Sequence, residues 1–188
     1  MSMSAPGPDR RLHTDLLEQA QKLVLAAIRD DSEAGLRRAV STAYYALFHL
    51  LLTEAVAMMA PPQPPGLRLQ ARRAFSHSEM RAVCALFASG IGPKAKSVPP
   101  TMRLLADPIE KQLLAVIKAF ELLQNARTTA DYDLGFSVTE LWALEEVERA
   151  KEAFANWEEV RTSPNAAVFL LALALHRSWS KGNRTSEI

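Results

Sequence analysis

Apolar residues in this chain recur at three- and four-residue steps, while strand-like alternation is scarce. That spacing gathers apolar side chains on one face of a helix. Leu16, Leu17, Ala20, Leu23, Val24, Ala27 and Ile28 form the first such face and predict a helix over about 14–29. A second helix is expected from about 32 to 59, closed by Pro61-Pro62-Gln63-Pro64-Pro65-Gly66, because consecutive prolines lack the donors a helix needs. Its middle is apolar on every side, which suits the centre of a bundle.

Four more helices follow. The third spans about 75–89 and stops at Gly90 and Gly92. Asp107-Pro108-Ile109-Glu110 reads as a cap, a first-turn proline and a capping-box acid, opening a fourth that runs to about 129. Ser137-Val138-Thr139-Glu140 reads as a second capping box for a fifth, with Leu141, Trp142, Val147, Phe154 and Trp157, ending near 161. The sixth, about 165–177 after Ser163-Pro164, is apolar all round through Phe169, Leu170, Leu171 and Leu173, as a buried helix or a subunit contact would be. The expected fold is all-α: an antiparallel bundle of five to six helices over 14–178, a disordered arm over 1–13 and a frayed tail over 179–188.

Composition narrows this further. With 188 residues, 48% of them hydrophobic, the chain suits a single domain with a sizeable core. The lone Cys84 lies in an apolar run and reads as a buried thiol. The Ser/Pro-rich start has no apolar leader core, and the longest charge-free stretches, Arg38 to Glu54 and Arg161 to Arg177, fall short of the ~20 residues of a spanning helix. A cytoplasmic location with no membrane partner is the expectation. Met58, Met59, Trp142, Phe154 and Trp157 sit at helical spacing and read as core.

A formal charge of +1 conceals two opposed stretches. From Arg68 to Arg103 seven basic residues face Glu79 alone, and from Glu140 to Arg161 seven Glu face three basic residues. These are solvated faces, or else the first is an anion-binding face with Arg72, Arg73, His77 and Arg81 as candidate phosphate contacts.

Candidate chemistry concentrates on the second and fourth helices. Arg38, Thr42, Tyr45 and His49 share one stripe, with Arg37, Ser41, Tyr44 and Phe48 on the next. Polar groups on an apolar helix need partners. On the fourth, the stripe Leu113, Val116, Phe120, Leu123 extends to Arg127, with Asp131 four residues later and Tyr132 beside it. Arg38, Tyr44, Tyr45, His49, Arg127, Asp131 and Tyr132 form the candidate network, a ligand site or a lock between two helices. Metal and cofactor sites are not expected: no Glu-x-x-His pair, Cys pair, P-loop, dinucleotide fingerprint or nucleophile elbow is present.

Ser41-Thr42-Ala43-Tyr44-Tyr45-Ala46-Leu47-Phe48-His49 resembles the second-helix signature of bacterial HEPN-domain proteins. Arg127-Thr128-Thr129-Ala130-Asp131-Tyr132 is similar to the Arg-x-x-Ala-Asp-Tyr element of the same branch, and Ser76-His77-Ser78 with Phe87 and Gly90 to its intervening helix. The resemblance spans about 16–161. It implies a small helical bundle, commonly dimeric, linked to RNA cleavage, nucleotide binding, and toxin-antitoxin or defence systems. Ribonuclease members of the family carry a His four to six residues after the Arg. Here Asp131, Tyr132 and Asp133 stand at those positions, followed by Leu134, and none of the four is His. The resulting expectation is an RNA- or nucleotide-binding domain without ribonuclease activity, homodimeric, with an antitoxin-like protein partner. The alternatives are a non-catalytic dimerisation or interaction module and, last, a metal-independent ribonuclease using His49 or His77.

Overall fold

The computed structural model describes residues 12–59, 65–73, 75–89 and 100–182. Among these the fold is all-α, with helices α1 (Leu12–Arg29), α2 (Glu33–Met59), α3 (Pro65–Arg73), α4 (His77–Ala88), α5 (Lys111–Tyr132), α6 (Glu140–Val160) and α7 (Pro164–Gly182). A 3₁₀ turn, Pro100–Leu104, precedes α5. Leu12 and His13, expected in the arm, already belong to α1, and 179–182, expected in the tail, to α7; 1–11 and 183–188 lie outside the described residues.

Local chemistry fixes the turn between the first two helices. Asp31 takes φ 47°, a left-handed conformation that Asp tolerates better than most residues. Asp31 N–H then donates to Ile28 O (3.3 Å) and Ser32 N–H to Ala27 O (2.8 Å), the paired bonds that close a helix C-terminus. Ser32 at once caps α2, its Oγ accepting from Gly35 N–H at 3.1 Å. So tight a reversal brings the helices together, and a Cβ on Gly35 would lie 2.7 Å from Ala27 Cβ.

Helix boundaries depart from expectation wherever a tertiary partner claims the cap. The box read over Asp107–Glu110 does not form. Glu110 instead accepts from Asn165 Nδ2 (2.9 Å), while buried Asn165 also grips Ala106, accepting from its N–H (2.8 Å) and donating to its O (3.1 Å). Burial pushes the Glu110 carboxyl up, but bonds from Asn165, the backbone and Ser163 outweigh it and leave the group below its ordinary value. The second box shifts too: Thr139, not Ser137, caps α6, its Oγ1 accepting from Trp142 N–H at 3.3 Å. Ser76 and Ser163 cap α4 and α7 as their sequences suggest. Helix α3 was not anticipated, since its proline start and polar content hide two turns of helix.

The chain divides into two compact units, the first comprising 1–53 and 119–155 and the second 54–118 and 156–188. In the first, Ala39, Val40, Ala43, Tyr44 and Leu47 of α2 are fully buried, and the Tyr44 ring packs 5.7 Å from Phe120 of α5. In the second, α7 lies against α4 and the 3₁₀ turn, and Phe87 meets Phe169 edge to face at 5.2 Å. Phe169, Leu170 and Leu173 are buried there, so α7 is chiefly a core helix. Cys84 and Trp157 are fully buried, whereas Met58 and Met59, expected in the core, are 37% and 39% exposed at the end of α2. Length and composition alone would let α2 cross a membrane, but most of its apolar stretch is buried within the fold, as in a core helix.

The Ala27–Gly35 approach gives a prediction of unusual sign. Gly→Ala inside a helix ordinarily stabilises by about 0.5–1 kcal/mol. Gly35→Ala should instead destabilise by about 1–3 kcal/mol in urea unfolding, from overpacking against Ala27. Ala27→Gly in the same chain should recover most of the loss.

Candidate functional site

In the first unit α2 and α5 run antiparallel. Tyr45 meets Arg127, and four residues back on α2 Ser41 meets Asp131, four residues on along α5. Asp131 divides its carboxylate between two partners. Oδ1 accepts from the Oγ of buried Ser41, and Oδ2 lies 2.7 Å from Arg127 Nε. The Arg127 N–H is not aimed along that line, so the contact is an ion pair without a hydrogen bond.

Two aromatic rings complete the setting. The Arg127 guanidinium carbon lies 5.6 Å from the centre of the Tyr45 ring and 5.3 Å from that of Tyr132, both within cation–π range. Arg127 Nη2 also donates to Tyr45 OH at 3.1 Å and, more loosely, to Tyr132 OH at 3.4 Å. Burial would lower the Arg127 pKa, but Tyr45, Asp131 and Tyr132 outweigh it and hold the cation more firmly protonated than usual. The side chain remains 22% exposed. A partly exposed, fixed cation thus stands beside an exposed Tyr132 ring.

One turn further along, Arg37 fastens the end of α5. Its Nη1 donates to Ala130 O (2.8 Å) and Asp133 O (3.1 Å), and its Nη2 to Phe136 O, filling carbonyls that a helix terminus leaves without partners. Glu33 holds the guanidinium from the other side, with Nε 3.0 Å and Nη2 2.7 Å from Oε1. The Arg37 bonds, and then Val138 N–H, draw the Glu33 carboxyl below its ordinary pKa.

The structure therefore brings together Tyr45, Arg127, Asp131 and Tyr132 of the expected network and sets three members apart. Arg38 is exposed, and it is Arg37, on the stripe of Ser41, that turns toward α5. Tyr44 is wholly buried among Tyr45, Phe48 and Phe120 and is a core residue. His49 stacks edge-on against Phe48 at 5.4 Å, and the partners of Arg127 do not include it. Ser41 and Arg37 read in the sequence only as polar groups on the neighbouring stripe, outside the candidate network, and Glu33 was missed. The antiparallel register was the signal available: with Tyr45 opposite Arg127, one turn pairs Ser41 with Asp131 and the next carries Arg37 past the helix end.

The candidate phosphate contacts fall in the second unit. Arg73 closes α3 and is exposed, as is Arg81 on α4; Arg72 and His77 are half-buried, His77 directly after the cap Ser76. Lys94 and Lys96 lie outside the described residues. Among the described residues no three His, Cys, Asp or Glu side chains converge as metal ligands would. No protein-family model, curated protein or solved structure matches the chain.

Pairing of Ser41 with Asp131 should appear as energetic coupling. In a cycle of Ser41→Ala, Asp131→Asn and the double variant, urea unfolding should give a coupling of about 1–3 kcal/mol. Arg37→Lys should cost about 1–2 kcal/mol, because a single ammonium cannot span three carbonyls and a carboxylate. A loss within error for Arg37→Lys would contradict the clasp.

Proposed function

We propose that this chain is a HEPN-like domain that binds RNA or a nucleotide at the Arg127 site and has no ribonuclease activity. The observation that carries the reading is the Arg127 guanidinium, fixed by Asp131 and partly exposed, lying beside the rings of Tyr45 and Tyr132. A base can stack on an exposed tyrosine face while a phosphate meets the guanidinium, the usual chemistry of single-stranded RNA recognition. Exposed Arg73 and Arg81 support a long-range attraction for such a ligand. A place in a toxin-antitoxin or defence pair, with an antitoxin-like protein partner, belongs to the same reading.

What stands near the cation supports the reading without cleavage. General acid–base cleavage needs an imidazole or equivalent within hydrogen-bond reach of the scissile phosphate. Beyond Arg127 the chain offers an exposed Tyr132, Asp133 turned to Gly135 N–H at 3.0 Å, and exposed Leu134. None is an imidazole.

A second reading, in which the network is a lock in a non-catalytic interaction module, is favoured by the burial of Ser41 and its bond to Asp131. Fluorescence polarisation with a labelled single-stranded RNA and with ATP at low salt separates the two. Arg127→Ala and Tyr132→Ala should each weaken binding about tenfold or more, the loss of a contact worth about 1.4 kcal/mol, and added salt should weaken it further. Tyr132 is 67% exposed, so its variant should retain the parent melting temperature. Absence of binding to either probe at low salt, together with a large drop in melting temperature for Arg127→Ala, would establish the lock instead.

A further inference from the structure

Two helices of this chain present exposed leucine beside charge of opposite sign. On α6, Leu141 is 67% exposed and Leu144 38%, and the outward stripe continues through Glu145, Glu148 and Glu152. Steps of three and four residues keep these side chains on one face. Beside them is an open groove of about 390 Å³ lined by Glu145, Glu148, Arg149 and Glu152. On α3, Gly66, Leu69, Gln70 and Arg73 are exposed at the same spacing, with Leu69 at 52%. A Cβ at Gly66 would meet no atom within 4 Å, so the α3 backbone is open to close approach.

Both stripes run leucine first and charge second from N- to C-terminus, acidic on α6 and basic on α3. We propose that a second copy of this chain docks its α3 in parallel along α6 of the first. Leu69 is then covered by Leu141 and Leu144, and Arg73, one turn later, enters the acidic groove beside Glu145 and Glu148. Charge complementarity selects this occupant: the chain supplies both the excess of Glu over 140–161 and the basic excess over 68–103. Arg149 pairs with Glu146 at 3.0 Å and Lys151 with Glu148 at 2.9 Å, and with four Glu against these two basic residues over 145–152 the groove keeps a net negative charge. The contact joins two different surfaces, so it is heterologous, and exposed charge makes it salt-sensitive. It does not rest on RNA or nucleotide binding and is tested without either.

Sedimentation velocity of the full chain at low salt should give a mean mass above the 20.8 kDa monomer that rises with concentration and falls in about 0.5 M NaCl. Arg73→Glu alone should be monomeric, as should Glu145→Arg with Glu148→Arg, since each variant opposes like charges. Mixed one to one, the two should associate again, because each then supplies the complement of the other. All these side chains are exposed, and unchanged circular dichroism verifies that the variants fold. A parent chain that is monomeric at every concentration would overturn the proposal, as would association that persists in either variant alone or fails to return in the mixture.

Discussion

Asp131 is the constraint on which the first unit depends. Its carboxylate meets a buried hydroxyl from α2 on one oxygen and a guanidinium from its own helix on the other, so neither charge is left uncompensated. Removing one partner from such a set costs more than the set contributes, because a buried polar group is stranded. The geometry also fixes register. A slip of α5 by one residue would turn Asp131 by roughly 100° away from Ser41 and move Arg127 off the Tyr45 ring. Arg37 reinforces the same register from beyond the helix end, where the three carbonyls it fills exist only if α5 stops at Tyr132.

Fold class was legible in the chain because apolar spacing is a local property. Leu16 through Ile28 trace a helix face without reference to anything else, and Ser76 and Ser163 cap the helices that follow them by contacts three residues away. Caps failed as guides where a distant side chain supplied the partner. Glu110 is claimed by Asn165, 55 residues on, and Val138 N–H turns to Glu33, 105 residues back. Met58 and Met59 show a further limit: helical spacing names a stripe but not how far along it the neighbouring helices extend.

The site divides the same way. Arg127, Asp131 and Tyr132 were readable because they lie on one helix at contact spacing, and Tyr45 because it projects from an apolar helix and needs a partner. Arg38 and Arg37 are adjacent and chemically identical, so only the position of α5 distinguishes them. His49 and Tyr45 share a stripe, yet four residues of helix separate them by about 6 Å along the axis, enough to leave one against Arg127 and the other against Phe48.

Partial exposure of Arg127 bears on what the network is for. A lock alone gains nothing from keeping an arginine at the surface, since apolar residues of similar volume often stabilise a helix contact as well or better. Nor does a lock require Tyr132, whose ring lies against the cation from the solvent side. Ser41 and Asp131 are the members a lock needs, Ser41 buried and Asp131 about as exposed as Arg127. Of Arg127 and Tyr132, the first is partly exposed and the second presents its ring to water. Ser41 and Asp131 hold Arg127 in place, and a side chain ordered in advance would spare a ligand the entropy of ordering it.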